Sequence, residues 1–177
     1  GEGVSLTIKE RMKVAEAWAA VSKQDPSFRA ITLAGGNSLT ECAELSKHAA
    51  SCGLDAIAFT SPSYFKPANV DALAASCEVV AAAAPELPFY YYHIPVLTGV
   101  DFPMLSLLQR IHERIPNFAG IKYTHEDFMD YASCMHFANG KYEMLWGRDE
   151  TFLSALVLGA RAAVGSTFNY AAPLYHD

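Results

Sequence analysis

The sequence predicts an α/β fold, a parallel sheet with its helices packed outside, and three observations carry that expectation. Six short strand-like segments alternate strictly with six helical patterns, at roughly thirty residues per pair. No linker or composition break interrupts the 177 residues, so a single domain over 1–177 is expected. With 51% hydrophobic and 18% charged residues, the chain has ample apolar material for one core. Two closures fit the alternation: an open doubly wound sheet, or part of a (β/α)8 barrel. A complete barrel takes ~250 residues and eight units, so six units suggest a barrel lacking two strands. Periodicity and spacing do not choose between them.

Thr7 and Glu10 form a capping box, and Ile8, Met12, Ala15 and Ala19 then recur at helical spacing. Phe28 to Ala34 reads as a strand ending in Gly35-Gly36-Asn37, and Ser38 with Glu41 opens a helix to about Cys52. Gly53 ends that helix, and Asp55 to Thr60 is the next strand, stopped by Ser61-Pro62. A helix from about Ala68 to Ala84 ends at Pro85, and Pro88 to His93 is an aromatic strand closed by Pro95. Pro103 suits the first turn of the next helix. Asn117 to Thr124 follows as a short apolar strand, then a helix to about Ala138 with Asn139-Gly140 as its stop. Tyr142 to Trp146, a helix from Thr151 to Leu158, and Arg161 to Ser166 complete the alternation.

Thirteen basic against nineteen acidic residues give a formal charge of −6, and no basic run or aromatic-basic stripe appears. Nucleic acid is therefore not an expected partner. No apolar run reaches ~18 residues, so no membrane span is expected. No signal-peptide pattern is visible. Cys42, Cys52, Cys77 and Cys134 show no CxxC or zinc-like spacing and fall in helical patterns. Reduced, buried thiols in a cytoplasmic protein are the expectation.

Candidate chemistry gathers at strand ends. Alternation places Gly120, Lys122 and Thr124 on one face of their strand, with Ala119, Ile121 and Tyr123 on the other. A buried lysine there would have its pKa lowered from ~10.4 toward that of an amine nucleophile. The plainer alternative is a lysine whose stem packs while its head reaches water or Glu126. Tyr90 and Tyr92 share a face of the aromatic strand, where a phenol could shuttle a proton or simply pack in the core. His93 reads as a hydrogen-bonded loop histidine. Asp149 and Glu150 could bind the hydroxyls of a polyol, or cap the following helix. Ser166 and Thr167 could hold substrate or belong to a turn. Gly35-Gly36-Asn37-Ser38 lacks both P-loop and GxGxxG spacing and reads as a turn plus cap. His125, Glu126 and Asp127 are adjacent on one loop and suit a solvated helix start, so no metal site is expected. What unites the rest is position: Tyr92, Lys122, Asp149 and Ser166 each lie at or just past the carboxyl end of a different strand, the catalytic rim of α/β barrels.

At these residues the chain resembles the N-acetylneuraminate lyase family, within the pyruvate-dependent class I aldolases that include dihydrodipicolinate synthase. The matching motifs are Tyr-Tyr-His-Ile-Pro-Val-Leu-Thr-Gly (91–99), Gly-Ile-Lys-Tyr-Thr (120–124), Gly-Arg-Asp-Glu (147–150) and Gly-Ser-Thr-Phe-Asn-Tyr (165–170). Similarity also covers 45–55 and 81–92, and the motifs are specific in combination rather than singly. The resemblance implies a (β/α)8 barrel in which this chain supplies strands three to eight. It implies that Lys122 forms a Schiff base with the keto carbon of sialic acid or pyruvate, with no other cofactor, the protonated imine acting as electron sink. Tyr92 would take the proton from the C4 hydroxyl during cleavage to N-acetylmannosamine and pyruvate. Thr124, Gly147, Asp149, Glu150 and Ser166 match positions contacting the sugar portion, and a homotetramer is implied.

The Ile-Pro-Val-Leu-Thr-Gly continuation favours the lyase over dihydrodipicolinate synthase, which usually carries an arginine shortly after the corresponding proline. The family also has a Gly-Ser/Thr-Thr-Gly-Glu loop whose hydroxyls hold the pyruvate carboxylate, and Gly1-Glu2 matches only its end. The resulting expectation is an active parent lyase, with the 177-residue chain alone weakly active or inactive and its sheet edges open. The alternatives are a sibling aldolase or synthase using another aldehyde, and a non-catalytic paralogue that binds ligand or family subunits.

Overall fold

Thr7 starts helix α1 (Ile8–Ser22) with both halves of its capping box formed: its Oγ1 accepts from the Glu10 N–H, and the Glu10 carboxylate accepts from the Thr7 N–H at 2.8 Å. In the computed structural model, which describes residues 3–176, the chain then runs through β1 (Ile31–Leu33), α2 (Leu39–Cys52), β2 (Ala56–Phe59), α3 (Val70–Ala81) and β3 (Phe89–His93). It continues through α4 (Pro95–Thr98), α5 (Met104–Ile111), β4 (Phe118–Tyr123), α6 (Phe128–His136) and β5 (Glu143–Trp146). Last come α7 (Phe152–Val157), β6 (Ala162–Ala163), α8 (Phe168–Ala171) and α9 (Pro173–His176). Gly1 and Glu2, on which the loop comparison rested, lie outside the described residues.

Every pair of neighbouring strands is parallel, and their order across the sheet, β1-β2-β3-β4-β5-β6, is their order along the chain. A doubly wound sheet reverses its strand order at a switch point. No reversal occurs here, so the sheet is wound in one direction and the doubly wound alternative is set aside. Among the described residues, β1 and β6 form its two edges.

The sheet's two faces differ sharply. Ile57, Phe59, Phe89, Tyr91, Ile121, Tyr123 and Trp146 point toward the helices and are buried at 1% exposure or less. The register puts Ala58, Tyr90, Tyr92, Gly120, Lys122, Glu143 and Leu145 on the opposite, inner face. Burial of the first set under α2, α3, α5 and α6 supplies the core, at about 1.5–3 kcal/mol per large apolar side chain.

Several elements differ from the sequence expectation for identifiable reasons. β1 is only three residues long, because Phe28 leaves the sheet to stack on Trp18 at 5.7 Å. The expected second capping box is half formed: Ser38 accepts from the Glu41 N–H at 3.3 Å. Pro103 is the cap of α5 rather than part of its first turn, and a proline offers no side-chain acceptor. Asp130 on α6 takes that role, accepting from the N–H groups of Met104 at 2.8 Å and Leu105 at 3.1 Å. Opposite Phe89 and Tyr90, β4 steps from Phe118 to Gly120, so Ala119 bulges and strict alternation breaks there. Phe118 thereby joins the helix side, 5.0 Å from Tyr142. A Cβ at Gly120 would overlap the Glu143 carbonyl oxygen, which is why that position has no side chain. β6 shortens to two residues, and α6 stops two residues early, where Ala138 and Asn139 turn left-handed.

Candidate active site

Three backbone links and one to a side chain stitch the carboxyl ends of β3 to β6 into a continuous rim. The Thr124 N–H donates to the His93 carbonyl at 2.8 Å, and the Gly147 N–H to the Tyr123 carbonyl at 2.8 Å. The Val164 N–H donates to the Trp146 carbonyl at 2.8 Å, and the Thr167 N–H to Asp149 Oδ2 at 2.8 Å.

Tyr92 and Lys122 are direct neighbours across the β3–β4 ladder and project from the same inner face. Lys122 Nζ lies 4.2 Å from the centroid of the Tyr92 ring, so the ammonium sits on the negative face of the phenol. The lysine is half-buried rather than enclosed, and its head does not pair with Glu126, which binds Arg148 instead at 3.0 Å. Tyr90, on the same face as Tyr92, donates from its hydroxyl to Glu143 Oε2 at 2.7 Å. Burial first, then that carboxylate, push the Tyr90 phenol well above its usual range. Tyr90 is thereby tied down, and Tyr92 is the phenol left beside the lysine.

Thr124 and Gly147 meet at the rim. Thr124 Oγ1 is buried without a hydrogen-bond partner, and a Cβ on residue 147 would occupy its position. Asp149 does not cap its helix: neither the 3-10 turn Asp149–Thr151 nor α7 receives a side-chain cap. Its carboxylate reaches across to the loop after β6, and only the missing side chain at Gly165 makes room for it. Glu150 and Ser166 are exposed on the same loops. The structure thus gathers Tyr92, Lys122, Thr124, Gly147 and Asp149 at the carboxyl ends of β3, β4 and β5, with Ser166 following β6.

Behind this rim stands an aromatic wall that sequence reasoning missed. Trp146 stacks on Phe128 at 5.0 Å and on Tyr123 at 6.0 Å, and meets Tyr131 edge-on at 4.8 Å. The Tyr123 hydroxyl donates to Asp130 Oδ2 at 2.9 Å, locking the strand residue after Lys122 to helix α6. Burial, then Asp130, drive the Tyr123 phenol far above its ordinary value. His93 belongs to β3 rather than to a loop, and it is buried on the helix side with Nδ1 unpartnered. Burial first, then His125 at 5.6 Å, hold its imidazole down at about 3. Asp127 fills the expected helix-start role, accepting from the N–H groups of Met129 and Asp130. The alternation that placed Tyr123 and Ile121 opposite Lys122 was the available signal for the wall. Nothing local pointed to Asp130.

Among the described residues no helix is long and apolar enough to cross a membrane. A family model described as "Dihydrodipicolinate synthetase family" matches residues 1–177. N-acetylneuraminate lyase B of Xenopus laevis is 46% identical over 172 residues, covering 96% of this chain and 63% of that protein. N-acetylneuraminate lyase of Homo sapiens is 47% identical over 171 residues, covering 96% of this chain and 53% of that protein. Among solved structures, Proteus mirabilis N-acetylneuraminate lyase superposes with a TM-score of 0.95 at 39% identity, over 99% of this chain and 59% of that one. A dihydrodipicolinate synthase from Cyanidioschyzon merolae with lysine bound reaches 0.90 at 27% identity, over 98% and 57%. The chain therefore spans between half and two thirds of the length of these relatives.

Proposed function

Since this chain belongs to the dihydrodipicolinate synthetase family, we propose that it is the larger part of a Schiff-base lyase cleaving N-acetylneuraminate to N-acetylmannosamine and pyruvate. The observation that carries this reading is the pairing of Lys122 with Tyr92 on the inner face, 4.2 Å from amine to ring centre. The names of the relatives support the substrate.

In the proposed cycle the Lys122 amine attacks the C2 keto carbon of the open-chain sugar, and water leaves to give the protonated imine. Tyr92 takes the proton of the C4 hydroxyl, the C3–C4 bond breaks, and its electron pair flows into the imine as an enamine. N-acetylmannosamine departs as the aldehyde. Protonation at C3 and hydrolysis then return pyruvate and the free amine. The imine itself is the electron sink, so the reading invokes no further cofactor. Thr124, Gly147, Asp149, Glu150 and Ser166 hold the sugar portion; the unpartnered Thr124 hydroxyl and the cross-loop Asp149 carboxylate support that role. The six strands form the greater arc of a (β/α)8 barrel, and the active species is a cytoplasmic homotetramer.

Borohydride reduction of the whole protein in the presence of pyruvate tests the reading, with a covalent adduct expected on the Lys122 peptide. A folded protein that yields no adduct ends the Schiff-base proposal. An adduct without release of N-acetylmannosamine from sialic acid moves the assignment to a sibling aldolase.

A further inference from the structure

Outside the rim, one cluster brings three different metal-binding side chains together. His48 and Cys52 stand one turn apart on α2, and Glu16 faces them from α1. His48 Nε2 is 3.1 Å from Glu16 Oε1, Cys52 Sγ is 3.5 Å from His48 Nε2, and the donor atoms all lie within 4.8 Å of one another. Donors on a tetrahedral zinc ion are about 3.3–3.8 Å apart, given bond lengths of about 2.0–2.3 Å. From these distances we propose that Glu16, His48 and Cys52 form a site for a zinc-class transition-metal ion, bridging α1 and α2.

The donor set selects the ion. One thiolate and one imidazole suit zinc and its soft or borderline neighbours, whereas magnesium and calcium require oxygen ligands. The sulfur sits nearly equidistant from both ring nitrogens, 3.7 Å from Nδ1, so loading turns the imidazole until Nε2 faces the ion. That rotation is open to a side chain bordering solvent, with His48 at 18% and Glu16 at 58% exposure. Binding releases the Cys52 thiol proton, and water completes the fourth position. Cys42, Cys77 and Cys134 are buried and lie on other helix faces or other helices, so Cys52 is the thiol the site can use.

Placement defines the role. α2 descends from the carboxyl end of β1 to the amino end of β2, so His48 and Cys52 lie at the end of the sheet opposite Lys122. An ion there clamps two helices and does not enter the lysine chemistry, as expected for the stability face of such folds. The proposal is thus independent of the reaction assigned above.

Cobalt(II) titration of the whole protein tests it, followed by zinc competition. The expected result is one equivalent of cobalt, with a sulfur-to-metal charge-transfer band that zinc abolishes. Cys52→Ser should remove the band, while His48→Gln and Glu16→Gln should each weaken binding by at least the roughly 10–100-fold that loss of an outer-shell partner costs. Zinc should also shield Cys52 from alkylation, read by peptide mass, and raise the unfolding temperature of the parent protein but not of the Cys52→Ser variant. A folded protein showing no such band, or a band that survives Cys52→Ser, overturns the site.

Discussion

Lys122 and Tyr92 face each other across one rung of the β3–β4 ladder, with the lysine nitrogen 4.2 Å above the centre of the phenol ring. The pairing separates two roles that a single substitution each can isolate. Lys122→Arg keeps a cation on the ring but cannot form an imine, so borohydride trapping with pyruvate should vanish while the fold persists. Tyr92→Phe keeps the ring and deletes the hydroxyl. It should still trap pyruvate, yet lose about 10²–10⁴-fold in kcat for sugar cleavage. Mass analysis of the trapped peptide, beside steady-state kinetics, distinguishes the two variants.

The contact between Gly147 and Thr124 predicts a coupled pair. Gly147→Ala places a methyl group where Thr124 Oγ1 stands, and the backbone there is fixed by the bond to the Tyr123 carbonyl. The expected cost is about 1–3 kcal/mol of stability. Thr124→Ala in the same chain should recover most of it, giving a strongly non-additive cycle in urea unfolding. Additive behaviour would mean that the rim relaxes by another route.

The strand carrying Lys122 was legible because it is short, apolar and bounded by a proline and a helix start, and its alternation placed the lysine opposite Ile121 and Tyr123. Alternation failed one step earlier. The bulge at Ala119 is a shift in the β3–β4 register, a relation between strands that no local pattern encodes. The single winding of the sheet was illegible for the same reason, since helix and strand periods are identical in both closures. Asp149 shows the limit within the site. Its sequence position suits a helix cap equally well, and only Gly165, sixteen residues on, decides that it reaches the next loop. The Glu16, His48 and Cys52 cluster escaped spacing rules because one member stands on a different helix.

Asp130 holds three donors at once: the Met104 and Leu105 N–H groups and the Tyr123 hydroxyl. Asp130→Ala leaves the start of α5 uncapped behind a proline and frees the Tyr123 phenol on the helix side of β4. A loss on the order of 2–3 kcal/mol is expected. Asp130→Asn keeps one carbonyl acceptor and should lose less. Thermal unfolding of both variants, with pyruvate trapping as a check on Lys122, reads the difference.

His93 makes stability depend on pH in a definite direction. Its imidazole is held at about 3 in the folded chain, against an ordinary value of 6.5, because burial disfavours the cation and His125 stands nearby. Between those values the unfolded chain binds the proton and the folded chain does not. The contribution is therefore fully present above pH ~6.5 and declines as pH falls toward 3, reaching on the order of a few kcal/mol. Since Nδ1 has no hydrogen-bond partner, an apolar ring can replace the imidazole without orphaning another group. His93→Phe should match the parent near pH 7.5 to within a modest packing cost, yet lose less stability at pH 5. Urea unfolding midpoints at the two pH values measure this. An unchanged slope in the variant would assign the acid sensitivity to the carboxylates instead.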